Sequence, residues 1–288
     1  YEVSYMNSGK MTNKGWEFRV DAVPFENRDW RVGFYFNIAH NENKITEMPD
    51  NYTEENYTFN NGEYAYRREE GRPMGSFYGY RYKGVCQNKD ATYARDADGN
   101  VMKDISGNAI VMRNGTATIA PGDALYEDIN HDGVINQYDI VYLGNSNPRF
   151  TGGAGVNVSY KQFKLSAIFY GRYGQDVVNS TRLNNESMRG IDNQSTAVLR
   201  RWRNEGDQTD IPRALYGEGY NTLGSDRFVE DASYLRLKSL SFNYRLPKKI
   251  IQRWGFSNID VYVTGYNLFT WTKYTGQDPE VKTENTYA

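Results

Sequence analysis

The 288-residue chain contains few cysteine, histidine and proline residues, and the first two shortages exclude particular kinds of site. Cys86 is the one cysteine, so no disulfide can form within the chain. The two histidines, His40 and His131, are too few for an ordinary zinc site. No apolar run approaches the roughly 18 residues of a membrane-spanning helix, which excludes helical spans but not a membrane barrel, whose strands are only half apolar.

An excess of charge of either sign is also lacking, because the chain has 34 Lys and Arg residues and 36 Asp and Glu residues. The resulting net charge of -2 does not favour nucleic-acid binding. Tyrosine and glycine are abundant, at 25 and 27 residues. Tyrosine favours strands and glycine favours turns, so the composition predicts an all-β protein with many polar loops.

Alternation of apolar and polar residues predicts three antiparallel hairpins. The first joins residues 16–22 to residues 30–38, and the second joins residues 154–160 to residues 163–169. The third begins in residues 235–246, where the alternation slips by one residue near Leu240, and continues in residues 259–264. A single slip of this kind predicts a β-bulge.

Strand length and loop length favour a membrane barrel over a soluble sandwich. The alternating runs are about nine to thirteen residues long, whereas strands of globular proteins have about five or six. Short turns alternate with the long segments 45–73, 85–151 and 174–231, an arrangement typical of outer-membrane barrels. Residues 76–85 also resemble a strand, whose partner we expect near residues 139–143. A water-soluble β-sandwich with the same alternation remains the alternative.

In a barrel, every second side chain faces hydrocarbon and the others face the lumen. The charges in mid-strand are then expected to face inward; they are Arg19, Asp21, Lys164 and Arg236. Aromatic residues near the strand ends suit the two membrane interfaces; they are Trp16, Phe25, Trp30, Trp254 and Phe256.

One loop has the spacing of a calcium-binding loop. Residues 128–139 match the pattern D-x-[DN]-x-[DN]-G, with Gly133 at the sharp turn and an acid at the twelfth position. Ile135 is expected to anchor the loop in an apolar core. The predicted metal ligands are Asp128, Asn130, Asp132, Val134 through its carbonyl, Asn136 through a water, and Asp139. Calcium or another divalent cation would have a structural role here, and a tight hydrogen-bonded turn without an ion is the alternative.

No arrangement of residues indicates an enzyme. A Ser-His-Asp set with His40 or His131 is arithmetically possible, but the two histidines are better explained by a strand end and by the calcium-type loop. No pair of carboxylates can be placed across a cleft from the sequence. We therefore predict a protein without catalytic residues.

Seven segments, in one order along the chain, resemble the C-terminal third of SusC-like, TonB-dependent outer-membrane transporters. They are 7–21 (NSGKMTNKGWEFRVD), 70–80 (EGRPMGSFYGY), 122–144 (GDALYEDINHDGVINQYDIVYLG), 147–160, 200–212 (RRWRNEGDQTDIP), 228–246 (FVEDASYLRLKSLSFNYRL) and 263–280 (VTGYNLFTWTKYTGQDPE).

The resemblance implies a large antiparallel transmembrane β-barrel of about 22 strands with long extracellular loops, in the outer membrane of a Gram-negative bacterium. Residues 1–288 would form its C-terminal part, and residues 122–144 a calcium-type segment of an extracellular loop. The N-terminal plug, the TonB-contacting region and the last strand are expected outside this chain. The implied function is TonB-dependent import of an oligosaccharide, or else an oligopeptide, under a SusD-like lipoprotein lid.

Two other functions compete with transport. A soluble, calcium-stabilised β-sandwich that binds carbohydrate would share the alternation and the calcium-type loop. A secreted polysaccharide-degrading enzyme would additionally require a pair of acids in a cleft.

Overall fold

A computed structural model describes residues 9–49, 57–59 and 64–280, so residues 7 and 8 of the first family-like segment lie outside the described residues. The chain divides into two compact units. Of the described residues, the sheet unit comprises 9–48, 146–176 and 231–280. The insert unit comprises 49, 57–59, 64–145 and 177–230.

Within the described residues, strands dominate and helices are short. The strands are β1 (Lys10–Glu26), β2 (Trp30–Glu47), β3 (Tyr57–Phe59), β4 (Tyr64–Tyr66), β5 (Ser76–Gly79), β6 (Tyr82–Val85), β7 (Arg113–Asn114), β8 (Ala117–Thr118), β9 (Ala124–Tyr126), β10 (Val134–Ile135), β11 (Val141–Asn145), β12 (Phe150–Tyr160), β13 (Phe163–Tyr173), β14 (Asp176–Val178), β15 (Val229–Asp231), β16 (Tyr234–Arg245) and β17 (Asp260–Thr272). The α-helices are α1 (Ser180–Asn185) and α2 (Lys248–Ile251), and single 3₁₀ turns occur at Asp90–Thr92, Gln137–Asp139, Thr196–Arg200, Tyr220–Thr222, Asp226–Phe228 and Gln252–Trp254. None of these described helices is long and apolar enough to cross a membrane.

The sheet unit is built on one antiparallel sheet with the strand order β1-β2-β12-β13-β16-β17. The three predicted hairpins are confirmed as β1–β2, β12–β13 and β16–β17. The six strands have 11 to 18 residues, longer than typical globular strands. The predicted bulge is confirmed, because the register between β16 and β17 shifts between Leu237 and Ser239.

The register gives the sheet one apolar and one polar face. Val156 lies opposite Phe34 on one side and Ala167 on the other. The next residue, Asn157, lies opposite Ser166. Because directly opposite residues point to the same face, the alternation within each strand continues from strand to strand across the sheet.

The apolar face is exposed and has the height of a membrane. Phe34 is 40% exposed, Val156 41% and Phe242 41%. Aromatic residues lie at both ends of the face, with Trp16 near Phe150 at one end and Trp30 near Tyr160 at the other. The 11 residues of β12 extend roughly 33 Å, which at a tilt of about 40° covers roughly 25 Å of bilayer.

The insert unit has its own sheets and its own hydrophobic cores. Its sheets have the orders β11-β5-β4-β3, β10-β7-β8 and β6-β9. The largest of its cores surrounds Cys86, Tyr126 and Ile135. The burial of Ile135, which is 1% exposed, confirms the predicted apolar anchor of the calcium-type loop.

Two expectations about the long connections need correction. Residues 76–85 are not one strand, because the strand breaks after Gly79 and β6 pairs with β9 in a different sheet. The expected partner was nearly right, since β5 pairs with β11 at Val141–Asn145. Residues 195–204 have the sequence pattern of a short helix, but they form only a 3₁₀ segment, Thr196–Arg200.

Charges placed on the two faces should destabilise the protein to different extents. We expect Val156→Lys to destabilise the full-length protein in a bilayer by about 2–4 kcal/mol, because Val156 lies midway along β12 on the apolar face. The control Asn157→Lys, one residue away on the polar face, should cost much less. Urea unfolding in liposomes measures both values, and equal losses would contradict the assignment of faces.

Candidate functional site

The polar face of the sheet brings together the four charges predicted to share one side. Arg19 and Arg236 lie in one row across the strands, which runs through Asn37, Gly153 and Tyr170. Asp21 and Lys164 lie on the same face by the same register. The sequence therefore predicted correctly that these charges share a face.

Polar groups on this face are paired with one another. Arg19 Nε lies 2.7 Å from Asp21 Oδ2. Ser166 Oγ donates to Asn157 Oδ1 at 2.6 Å, and a 2.8 Å hydrogen bond joins the Ser241 and Thr264 hydroxyls. The Arg19–Asp21 pair is well exposed and contributes little to stability. These contacts suit a water-filled surface rather than hydrocarbon.

A groove of about 520 Å³ lies on the polar face near the turn ends of the strands. Its polar lining includes Asp21, Arg31, Tyr35, Asn157 and Lys164. The Tyr35 ring lies over a glycine, since a Cβ at Gly155 would be 2.1 Å from Tyr35 Cε1. An aromatic ring beside hydrogen-bonding side chains can contact a ligand that has both apolar and polar groups.

The first half of the calcium-type loop is closed by carboxylate-to-backbone hydrogen bonds. Asp128 Oδ2 accepts from the Gly133 amide at 2.7 Å, and Asp132 Oδ1 accepts from the Val134 amide at 2.8 Å. His131 and Gly133 have positive φ angles of 56° and 81°, which give the loop its sharp turn. Glycine adopts this conformation without steric cost, so the pattern places it correctly.

The second half of the loop is closed by Asp139. This carboxylate is fully buried, and it accepts from the Ile129 amide and the Asn136 amide, each at 2.8 Å. Asn136 accepts in turn from the Tyr138 amide, which begins the 3₁₀ turn. Burial raises the pKa of Asp139, and the two backbone donors oppose that shift.

All six predicted metal ligands thus lie in one loop, but the structure gives several of them other partners. The Val134 carbonyl accepts from Asn136 Nδ2 at 3.1 Å, and both oxygens of Asp139 bind backbone amides. Over the described part of the chain, no group of three or more His, Cys, Asp or Glu side chains is arranged to hold a metal ion. Cation binding therefore stays a prediction, and the geometry is that of a hydrogen-bonded loop.

Sequence reasoning missed a buried polar network in the insert unit. Asp123 is fully buried and forms an ion pair with Arg213, with its Oδ1 2.7 Å from Arg213 Nε. Asn221 Nδ2 donates to the same oxygen at 3.1 Å, and Asn221 Oδ1 accepts from the Ala124 amide at 2.8 Å. No local sequence pattern predicts an ion pair between two residues that are 90 positions apart in the chain.

A short internal repeat was also missed, although its signal is visible. The pattern D-x-x-G-N occurs at Asp96–Asn100 and again at Asp104–Asn108. In both copies the aspartate accepts from the amide of the asparagine four residues later, at 2.9 Å. These backbone donors lower the pKa of Asp96 and of Asp104. The two turns form the ends of successive small hairpins in the insert unit.

Comparison with known proteins gives concordant matches over nearly the whole chain, although no family model matches it. A TonB-dependent receptor of Formosa agariphila is 33% identical over 97% of this chain and 26% of that protein. TonB-dependent receptor SusC of Bacteroides thetaiotaomicron is 26% identical over 96% of this chain and 25% of that protein. A chain of the RagAB peptide transporter structure superposes with a TM-score of 0.67 and 26% identity, over 96% of this chain and 27% of that chain. The present chain spans about a quarter of the length of these proteins.

The role of Asp139 as the closing residue of its loop is testable. We expect Asp139→Asn to destabilise the loop by about 1–3 kcal/mol, because one accepting oxygen becomes an amide group that faces a backbone N–H. Hydrogen exchange at the Ile129 and Asn136 amides measures the effect. The control Asp132→Asn changes an exposed residue and keeps an oxygen acceptor, so it should change exchange much less. Equal exchange in the two variants would contradict this role.

Proposed function

We infer that the chain is a segment of a SusC-like, TonB-dependent receptor, and that the whole receptor imports a nutrient across the outer membrane. The resemblance predicted from seven segments of the sequence is confirmed by the curated and structural matches. Those relatives are receptors and transporters, which supports a non-enzymatic role.

The exposed apolar face of the six-stranded sheet is the observation that carries this proposal. Phe34, Val156 and Phe242 lie in the middle of that face and are all about two-fifths exposed. A soluble β-sandwich would bury one face of each sheet between its two layers. A sheet with an uncovered apolar face and a polar face of paired groups is instead typical of a barrel wall between lipid and lumen.

The segment would contribute barrel wall and the connections at one end of the wall. The polar face, with its groove at Tyr35, Asn157 and Lys164, would line the path of the cargo. Energy would come from the TonB complex through the receptor's N-terminal region. These assignments extend the family resemblance to the whole receptor, of which this chain is about a quarter.

We propose an oligosaccharide as the first candidate cargo and an oligopeptide as the second, with a SusD-like lipoprotein as lid. The family resemblance of the sequence supports the first, and the structural relative, described as a peptide transporter, supports the second. Tyrosine and amide side chains along the polar face can bind either cargo, because both present hydroxyl or amide groups.

Affinity purification of the intact receptor from outer membranes tests the proposal. We expect a chain about four times the length of this segment, which requires detergent and retains a lipoprotein partner identified by mass spectrometry. Deleting the receptor gene should abolish growth on its cargo, and parallel cultures on defined glycans and peptides identify the cargo class. A detergent-independent soluble chain without a partner would overturn the proposal and favour the carbohydrate-binding sandwich.

We also propose that the loop of residues 128–139 binds Ca²⁺ as a structural ion. The support is its set of hard oxygen donors at calcium-type spacing and the buried anchor Ile135. If this is correct, Ca²⁺ should slow amide exchange in the loop, EDTA should reverse the effect, and Asp128→Asn should abolish it. The control Asp96→Asn alters a similar turn in the same unit and should keep the response. Equal amide exchange with Ca²⁺ and with EDTA would overturn this proposal and favour a hydrogen-bonded loop without an ion.

A further inference from the structure

The segment that follows the last strand folds back onto the polar face of the sheet. We call Lys273–Glu280 the strap. At its start, Thr272 Oγ1 donates to the Ser233 carbonyl at 2.8 Å. Near its end, the buried side chain of Gln175 donates to the Pro279 carbonyl at 3.2 Å and to the Ala232 carbonyl at 3.1 Å. The strap is therefore attached to the sheet at both ends.

Arg236 in β16 is the main attachment of the strap. Its guanidinium forms ion pairs with both strap carboxylates, at 2.7 Å from Nη2 to Asp278 and 2.6 Å from Nη1 to Glu280. Its Nε donates to Thr270 in the neighbouring strand at 3.0 Å. The Arg236 side chain is only 6% exposed, although it belongs to the polar face of an open sheet.

Other groups on the same face strengthen this attachment. Lys238 Nζ lies 3.7 Å from Glu280 Oε2, and the Tyr234 hydroxyl donates to Glu280 Oε1. Arginine holds two carboxylates in fixed directions, because its planar guanidinium offers several N–H groups in a rigid arrangement. Burial of Arg236 without its two carboxylate partners would be strongly unfavourable. The strap can therefore cover Arg236 only while Asp278 and Glu280 pair with it.

We propose that the strap is a gate in the pathway of the proposed transporter, held against the wall by Arg236 as its positioning residue. This inference rests on the proposed function, because the polar face is a pathway only if the sheet is a barrel wall. β17 ends at Thr272, the end of the sheet at which β13 ends and β16 begins, so the strap lies at the end where the long connections join. Held inward there, the strap narrows the end of the lumen through which the cargo would pass.

Variants of the strap itself test the gate without altering the sheet. In the full-length receptor, Asp278→Asn with Glu280→Gln removes both charges that bind Arg236 and leaves the strands unchanged. We expect amide exchange across residues 273–280 to become about tenfold faster or more, because the segment opens locally. In cells that have the TonB complex, the initial rate of uptake of the glycan or peptide that supports growth should rise several-fold, because the strap no longer narrows the path. Arg236→Met should give the same two effects.

Arg245→Met is the matched control, because Arg245 lies on the same strand and the same face and pairs with Asp260 rather than with the strap. It should change neither strap exchange nor uptake, and Arg236→Lys should restore both only in part. Strap exchange equal to that of the control, or uptake equal to that of the control, would overturn the gate. If the receptor supports no growth on any cargo, the proposed function fails, whereas strap exchange in the purified protein still reports on the attachment.

Discussion

The register between neighbouring strands is the constraint on which this structure depends. Because side chains alternate with a period of two, a slip of one residue would move a whole strand's apolar side chains to the other face. One bulge in β16, between Leu237 and Ser239, shifts its register with both neighbouring strands. The apolar face nevertheless stays continuous. It does so because the sequence pattern slips at the same place, next to Lys238. The bulge and the pattern compensate each other.

The two units obtain their stability from different sources. Among the described residues, three clusters of buried apolar side chains lie in the insert unit, around Cys86, Phe228 and Ile211. The insert unit adds polar contacts between distant segments, such as the buried Asp123–Arg213 pair. The sheet unit leaves many of its large apolar side chains exposed, so it needs hydrocarbon or another apolar surface to cover them. This difference explains why one chain contains both a two-faced sheet and a compact unit.

The predictability of each part from sequence follows the same division. Long strands with one apolar face show their pattern over ten or more residues, so the three hairpins and the bulge near Leu240 could be predicted. The strands of the insert unit have two to five residues, too few to show a period, and so residues 76–85 were taken for one strand. The calcium-type loop could be located because its ligands are close in sequence. The partners of Asp123 and Arg236 could not, because 90 and more than 40 residues separate them from the groups they bind.

The two edges of the sheet indicate where further strands of the proposed barrel would pair with this segment. Within the described residues, β1 pairs only with β2 and β17 pairs only with β16, so each has one unpaired edge. In hydrocarbon an unpaired edge is untenable, because each free N–H and C=O group costs several kcal/mol. If the apolar face lies in a bilayer, other strands must therefore pair with both edges and close the sheet. The strap follows directly from the edge strand β17. Arg236, in the neighbouring strand β16, therefore binds the strap to the sheet close to this unpaired edge.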